Sequence, residues 1–203
     1  MKIPKLRELK EAVIAIVKGP YTSAFPKVSH RPHQNFRGRP KFYEDGCVGC
    51  LACENVCPVG AIAHQDTVRA GASSRKMIHF SDTCIFCGQC EAACITKKGI
   101  KLSQEWELSH FDRRECVESI DKELLLCEVC GDILACKDHL IWIAKELGEL
   151  AYSNPTLYMA RLNELGISDQ DVKSAVAATS RCDRMKIVCA RCRRKTTLTT
   201  EKK

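Results

Sequence analysis

The sequence predicts an α+β chain whose core is organised by metal ligands more than by apolar residues. Three observations carry that prediction. Fifteen of the 203 residues are cysteine. Eight of these fall into two copies of Cys-x-x-Cys-x-x-Cys-x-x-x-Cys, CVGCLACENVC at 47–57 and CIFCGQCEAAC at 84–94. Two more Cys-x-x-Cys pairs, Cys127/Cys130 and Cys189/Cys192, bracket a stretch with helical periodicity. Thiols in Cys-x-x-Cys steps, with an odd total, argue for metal ligation in a reducing compartment and against a disulfide framework. A chain of this length supports one or two small domains, and the pattern divides it into an N-terminal arm (1–41), a cysteine-repeat domain (42–115) and a helical extension with the last two pairs (116–203).

Each element follows in order. Over residues 3–18, Leu6, Leu9, Val13, Ile16 and Val17 recur at spacings of three and four, while Lys2, Lys5, Arg7, Lys10 and Lys18 take other positions. This predicts an amphipathic helix that Gly19-Pro20 ends. Residues 20–41 hold four prolines and no clear period, hence an extended arm. Short strands are expected at 60–64 (GAIAH), 76–80 (KMIHF) and 99–103 (GIKLS), with a polar loop at 65–76. Residues 106–126 are charged and read as irregular. Asp138 is placed to cap a helix over 139–153, and Asn154-Pro155 opens a second over 155–165, closed by Gly166. Ser168 with Asp171 resembles a capping box for a last helix to about Thr179. Residues 185–188 (MKIV) lead as a strand into Cys189.

The repeat itself points to 4Fe–4S clusters. Cysteines at every third position wrap three corners of a cube, and the fourth thiolate must come from farther away. In two-cluster ferredoxins that distant cysteine serves the other cluster. Applied here, Cys47, Cys50, Cys53 and Cys94 hold one cluster, and Cys84, Cys87, Cys90 and Cys57 hold the other. Zinc favours two separated Cys-x-x-Cys pairs, not four cysteines in one run, twice. Pro58 follows the first run as the pattern expects. Ile95 stands in its place after the second run, and TKKG (96–99) lengthens the turn there. Such clusters pass single electrons. The chain carries no Rossmann glycine fingerprint, flavin motif or acid–base constellation, so it reads as an electron conduit without a catalytic site of its own.

These residues resemble a family. RPHQNFRGRPKFYEDGCVGCLACENVCPVGAIA (31–63), CIFCGQCEAAC (84–94) and LSQEWEL (102–108) are similar to the two-cluster ferredoxin-like subunit I of respiratory complex I and its counterparts in group 4 membrane-bound nickel–iron hydrogenases. The basic helix followed by KGPYTSAFP (18–26) is similar as well. LLLCEVCGDI (124–133) with IVCARCRRKTTL (187–198) resembles the C-terminal extension of the formate hydrogenlyase or hydrogenase-4 subunit. The resemblance implies a ferredoxin-like core relaying electrons to a nickel–iron catalytic subunit, alongside the subunit that holds the terminal cluster. A complex I subunit I, with quinone as acceptor, and a free-standing ferredoxin are the alternatives.

Cys127, Cys130, Cys189 and Cys192 form a second candidate site. Two Cys-x-x-Cys knuckles make a tetrahedral four-thiolate set of zinc-ribbon type, with zinc the expected metal and iron the other that the set accepts. Gly131 suits the turn after the first knuckle, and Arg193 holds the corresponding place after the second. Cys116, Cys136 and Cys182 are expected to be small buried residues, with Cys182 the one near enough to substitute as a ligand. The six histidines are scattered and have no ligand partners.

Charge is unevenly distributed. Residues 1–41 sum to +8, residues 181–203 to +7, and the body between them to −8. Basic ends around an acidic body suggest partners for the ends. The helix, with its apolar stripe and basic polar face, suits an anionic membrane surface, and Arg37 and Arg39 suit ion pairs with a neighbouring subunit. The tail 191–203 lacks the interleaved aromatics of a nucleic-acid binder, so no nucleic acid is expected. The apolar run 12–17 is too short for a signal core or a membrane span. The expected location is peripheral, at the cytoplasmic face of the cell membrane.

Overall fold

Two strand pairs related by a shift of thirty-seven to thirty-eight residues form the centre of the fold. The computed structural model describes residues 5–19, 22, 24–69, 72–167 and 186–198. The chain divides into two units, 1–36 and 37–203. In the larger unit, β1 (Pro40–Phe42) pairs antiparallel with β4 (Ile100–Leu102), placing Phe42 opposite Ile100. The equivalent pair, β2 (Ile62–Arg69) and β3 (Ala72–Phe80), places His79 opposite Ile62. The short helices α2 (Ala52–Asn55) and α3 (Gln89–Ala92) each carry the third cysteine of a run, Cys53 and Cys90. Phe42, Cys53, Ile62, Met77, Cys90 and Ile100 make one buried cluster in which the ligand cysteines are part of the core.

The backbone repeats as closely as the sequence. Six positions with positive φ form three pairs, each thirty-seven residues apart: Gly49 with Phe86 (68° and 52°), Leu51 with Gly88 (66° and 81°), and Gly60 with Lys97 (64° and 55°). In every pair one member is glycine and the other is not. These three non-glycine residues are the only ones with positive φ among the described residues. A left-handed non-glycine residue costs roughly 1–2 kcal/mol, so the loop shape is imposed by what it surrounds and not by local preference. The turn after Lys97 is one residue longer than its counterpart: Tyr43 N–H reaches Gly99 O where Phe80 N–H reaches Ala61 O.

Two segments that the pattern assigned to loops are strands. β2 extends to Arg69 and β3 starts at Ala72, the two pairing antiparallel across most of 65–76 with Asp66 opposite Arg75. β5 (Val117–Leu126) occupies the second half of the expected irregular stretch, joining β3 on one edge and β6 (Ile133–Cys136) on the other. The charges of β5 concealed its alternation: Lys122 and Leu124 are buried while Glu123 between them is exposed.

Beyond β6, α4 (Lys137–Leu147) begins two residues earlier than expected, with Cys136 at its N-cap; Asp138 turns to Lys122 instead of capping. A 3-10 turn, Gly148–Ser153, replaces the predicted last helical turns. In α5 (Pro155–Glu164), Asn154 Oδ1 accepts from Thr156 N–H at 3.0 Å and Pro155 takes the first position, as expected. Ala144, Ala151 and Leu157 join these elements. Residues 186–189 approach the last pair without strand structure, and α6 (Ala190–Leu198) follows. The predicted helix over 168–179 and Cys182 lie outside the described residues.

In the smaller unit, α1 (Leu6–Lys18) is a helix as predicted, and Glu8 accepts from Lys5 N–H at 3.1 Å. It buries none of its residues, and Leu6, Ile16 and Val17 are each about four-fifths exposed (86%, 82% and 79%).

Candidate metal centres

The eight repeat cysteines line two cavities, and each cavity draws on both runs. Cys47, Cys50, Cys53 and Cys94 line one, walled by Phe42, Met77 and Ile100. Cys57, Cys84, Cys87 and Cys90 line the other, walled by Pro40, Ile62 and Ile85. Each holds about 320 Å³ not filled by protein atoms. The chain reverses after each short helix, carrying Cys57 and Cys94 away from their own runs. Cys57 N–H donates to Glu54 O and Cys94 N–H to Glu91 O, at 3.1 and 3.2 Å, so the two exits are alike.

The electrostatics fit thiolates bound to cations. Burial pushes the Cys53 thiol up to about 12, aided by the neighbouring Cys47, Cys50 and Cys90, and pushes Cys90 up to about 11. Burial also raises Cys47 and Cys84. Thiols crowded into an apolar cavity ionise together only with a cation that takes them as ligands, which is the chemistry of cluster iron. Backbone N–H groups point at the sulfurs: Ala61 donates to Cys57 Sγ at 3.2 Å and Phe86 to Cys84 Sγ at 3.4 Å. Cys94 differs. Burial acts against its ionisation, but the Thr96 hydroxyl, 3.4 Å from Sγ, and the N–H groups of Ile100, Gly99 and Thr96 hold it below the ordinary value. Thr96 Oγ1 also lies 2.8 Å from Gly46 O, the other acceptor open to its single proton, and accepts from Gly99 N–H at 3.1 Å. The departure from the ferredoxin pattern after Cys94 thus supplies a polar support that the first run lacks.

The remaining four thiols converge as expected. The sulfurs of Cys127, Cys130, Cys189 and Cys192 lie within 4.8 Å of one another, and Cys130 and Cys189 are 3.7 Å apart. A tetrahedral thiolate site with metal–sulfur bonds of about 2.3 Å spaces its sulfurs by about 3.8 Å, so the set is compatible with one metal ion. Gly131 has φ +75° and donates to Cys127 O at 2.9 Å, closing the first knuckle. Cys189 N–H donates to Cys127 Sγ at 3.3 Å and Cys192 N–H to Cys189 Sγ at 3.4 Å. Despite burial, the N–H groups of Cys189, Cys130 and Val129 hold the Cys127 thiol down to about 6. Arg193 hydrogen-bonds Thr156 of α5, tying the second knuckle to the helices.

Other expectations are corrected or extended. Arg39 pairs with Glu105 of its own chain at 3.1 Å, and Arg37 donates to Cys87 O at 3.2 Å. Cys136 is fully buried and Cys116 half-buried. His79, among the scattered histidines, is fully buried with neither ring nitrogen hydrogen-bonded. Arg75 and Lys122, unremarked in the sequence, reach the first cysteine loop. Their signal was a lone cation at a core-facing strand position.

Comparison with known proteins now bears on this geometry. A 4Fe–4S dicluster domain matches residues 46–98. Formate hydrogenlyase subunit 6 of Escherichia coli (strain K12) is 34% identical over 142 residues, covering 68% of this chain and 77% of that protein. The chain belongs to the formate hydrogenlyase subunit 6 family. As a member with a dicluster domain, it is an iron–sulfur electron-transfer subunit. A chloroplastic NAD(P)H-quinone oxidoreductase subunit I from Chloranthus spicatus is 31% identical over 99 residues, 47% of this chain and 54% of that protein. A chain from a membrane-bound sulfane sulfur reductase, an archaeal respiratory membrane complex, superposes with a TM-score of 0.40 at 22% identity, covering 57% of this chain and 61% of that one. Among the described residues no helix is long and apolar enough to cross a membrane.

Proposed function

We propose that this protein relays single electrons through two 4Fe–4S clusters to the nickel–iron catalytic subunit of a membrane-bound hydrogenase complex of formate hydrogenlyase type. The observation that carries the reading is the composition of the two cavities, each lined by three cysteines of one run and one of the other. Cys47, Cys50, Cys53 and Cys94 hold the first cluster; Cys84, Cys87, Cys90 and Cys57 hold the second. Bound there, the clusters supply one-electron redox chemistry. The chain's own part is to separate the two sites by apolar walls, to direct N–H groups at the sulfurs and to exclude water. The longer match with the hydrogenlyase subunit, 142 residues against 99, favours it over a quinone-reducing complex.

In this reading residues 1–41 are the docking arm, 42–115 the dicluster domain and 116–203 an assembly domain stapled by one zinc at Cys127, Cys130, Cys189 and Cys192. Zinc is redox-silent and closed four-thiolate sites are structural. The exposed apolar stripe of α1, bordered by lysines, docks peripherally at the cytoplasmic face of the membrane or on a membrane subunit. Anaerobic reconstitution of the full chain is expected to give about eight irons, one zinc and two spin-coupled paramagnets on reduction. A single cluster, or zinc in the repeat, contradicts the proposal.

A further inference from the structure

The two cluster cavities are alike in size and in the exposure of their thiols, but not in the charges around them. They have equal volumes, and each set of thiols has one buried and three half-buried members. The exposure class of the thiols therefore does not rank them. Charge does, because the two buried cations, Arg75 and Lys122, both lie at the first cavity. Cluster potentials respond to net charge, hydrogen bonds at sulfur and solvent exposure.

Two buried cations bind the loop of the first cluster. Arg75, on β3, is 9% exposed, and its Nη1 donates to Gly49 O at 3.1 Å. Lys122, on β5, is 8% exposed, and its Nζ donates to Glu44 O at 2.6 Å. Both carry counter-charges. Asp66 takes the opposite edge of the Arg75 guanidinium, Nε and Nη2, at 2.8 and 2.7 Å. Asp138 takes Lys122 at 3.1 Å and is half exposed. Each ion pair thus presents its cationic end to the first loop while its carboxylate bonds the cation elsewhere. The contact leaves no slack: a Cβ on Gly49 would lie 2.5 Å from Cys136 Sγ, so β6 packs directly on this corner. Buried charges act through a low dielectric and are poorly screened. Thr96 adds a hydroxyl beside Cys94. At the second loop the comparable contact is Arg37 to Cys87 O, an exposed hydrogen bond that solvent weakens.

We propose that Lys122 and Arg75 make the first cluster the more oxidising of the two, so that an electron given up by the second cluster is taken up by the first and resides there. The inference rests on the ligand sets proposed above. It makes β5 and β6 a tuning element for the dicluster domain as well as a link to the knuckle.

The test is an EPR-monitored redox titration of the full-length, cluster-loaded protein. Wild type should show two one-electron waves. Lys122→Met, which removes the cation, should lower the higher wave; Asp138→Asn, which removes only the exposed counter-charge, should raise that same wave. The expected change in the exchange equilibrium between the clusters is about tenfold, or about 59 mV for one electron. Thr96→Val, which removes the hydroxyl beside Cys94, should shift the same wave alone and so mark it as that of the first cluster; Arg37→Gln should move neither appreciably. Opposite shifts from Lys122 and Asp138 are not produced by loosened packing, and the exposed Asp138 provides the readout if Lys122→Met folds poorly. Coincident waves in the wild type, shifts of one sign, or a response confined to the lower wave would overturn the proposal. Assembly of only one cluster would refute the ligand reading on which it rests, and iron analysis separates that failure from the others.

Discussion

At position 79 the second half of the repeat carries histidine where the first half carries Phe42, and both side chains are buried. Phe42 packs without electrostatic cost. His79 has no hydrogen bond to either ring nitrogen; burial, with the Arg39 charge, holds it down to about 4 from an ordinary 6.5. The unfolded chain therefore binds this proton more readily than the folded one. The resulting stability is present above about pH 6.5 and is lost as pH falls through about 4. His79→Phe should flatten the acid side of the stability profile, measured as the rate of cluster bleaching at pH 7 and pH 5 against wild type. An unchanged pH slope would show that another group governs acid lability. Backbone strain gives a second residue-scale prediction. Lys97 is exposed with φ +55°, and its repeat partner Gly60 has φ +64°. Lys97→Gly should slow bleaching, with a gain of up to about 1 kcal/mol, because it removes left-handed strain. Gly49→Ala should cost about 2–3 kcal/mol, from strain plus the collision with Cys136. The grouping of the eight repeat cysteines into two cavities was legible because their spacing is their chemistry. Thr96, Arg75 and Lys122 were not, because a hydroxyl or a lone cation acquires its role only from the loop it meets in space.

Among the elements, α5 was read well from its terminal signals, while the Asp138 cap of α4 and the strands with charges were not. Asn154-Pro155 and Gly166 bound α5 as their backbone chemistry requires. The β2–β3 hairpin was hidden because its outer half is polar and is held by the bidentate Asp66–Arg75 pair across the strands, a contact invisible to periodicity. β5 was hidden for a related reason: its inward-facing Lys122 and Glu118 read as surface residues, although Glu118 Oε1 accepts from Phe42 N–H at 3.2 Å. α1 was recognised from its stripe, and its exposed apolar face sets an element-scale prediction. Deleting residues 1–18 should release the protein from membranes or from its complex, assayed by flotation and co-purification, and leave the cluster spectra intact. Full retention would make the helix a packing element. The knuckle sets another. Replacing Cys189 by Ser should release the metal and loosen the segment between the two pairs, because binding there is folding free energy. Protease sensitivity should rise between the pairs while the eight-cysteine domain keeps its clusters. An iron-specific rubredoxin-like signal in the wild type would replace zinc by a third redox centre.

At the scale of the molecule, the chain is built from one motif used twice and a C-terminal extension laid against one copy. The duplication explains why a segment with so few large apolar residues folds: in the proposed ligand sets each run is completed by a cysteine from the other, so metal binding would join the halves that the shared core of Phe42, Ile62, Met77 and Ile100 packs. The family match agrees with this economy, and the asymmetric contacts of Arg75, Lys122 and Cys136 with the first loop give the two halves different surroundings. Exchange of the fourth ligand is the central claim, and comparing single-cysteine variants by EPR tests it most directly. Cys57→Ala should give the spectrum of Cys84→Ala, with the second cluster damaged and the first intact, and Cys94→Ala should give that of Cys47→Ala. If Cys57→Ala instead matches Cys47→Ala, each run keeps its own fourth cysteine and the account of the two centres is wrong.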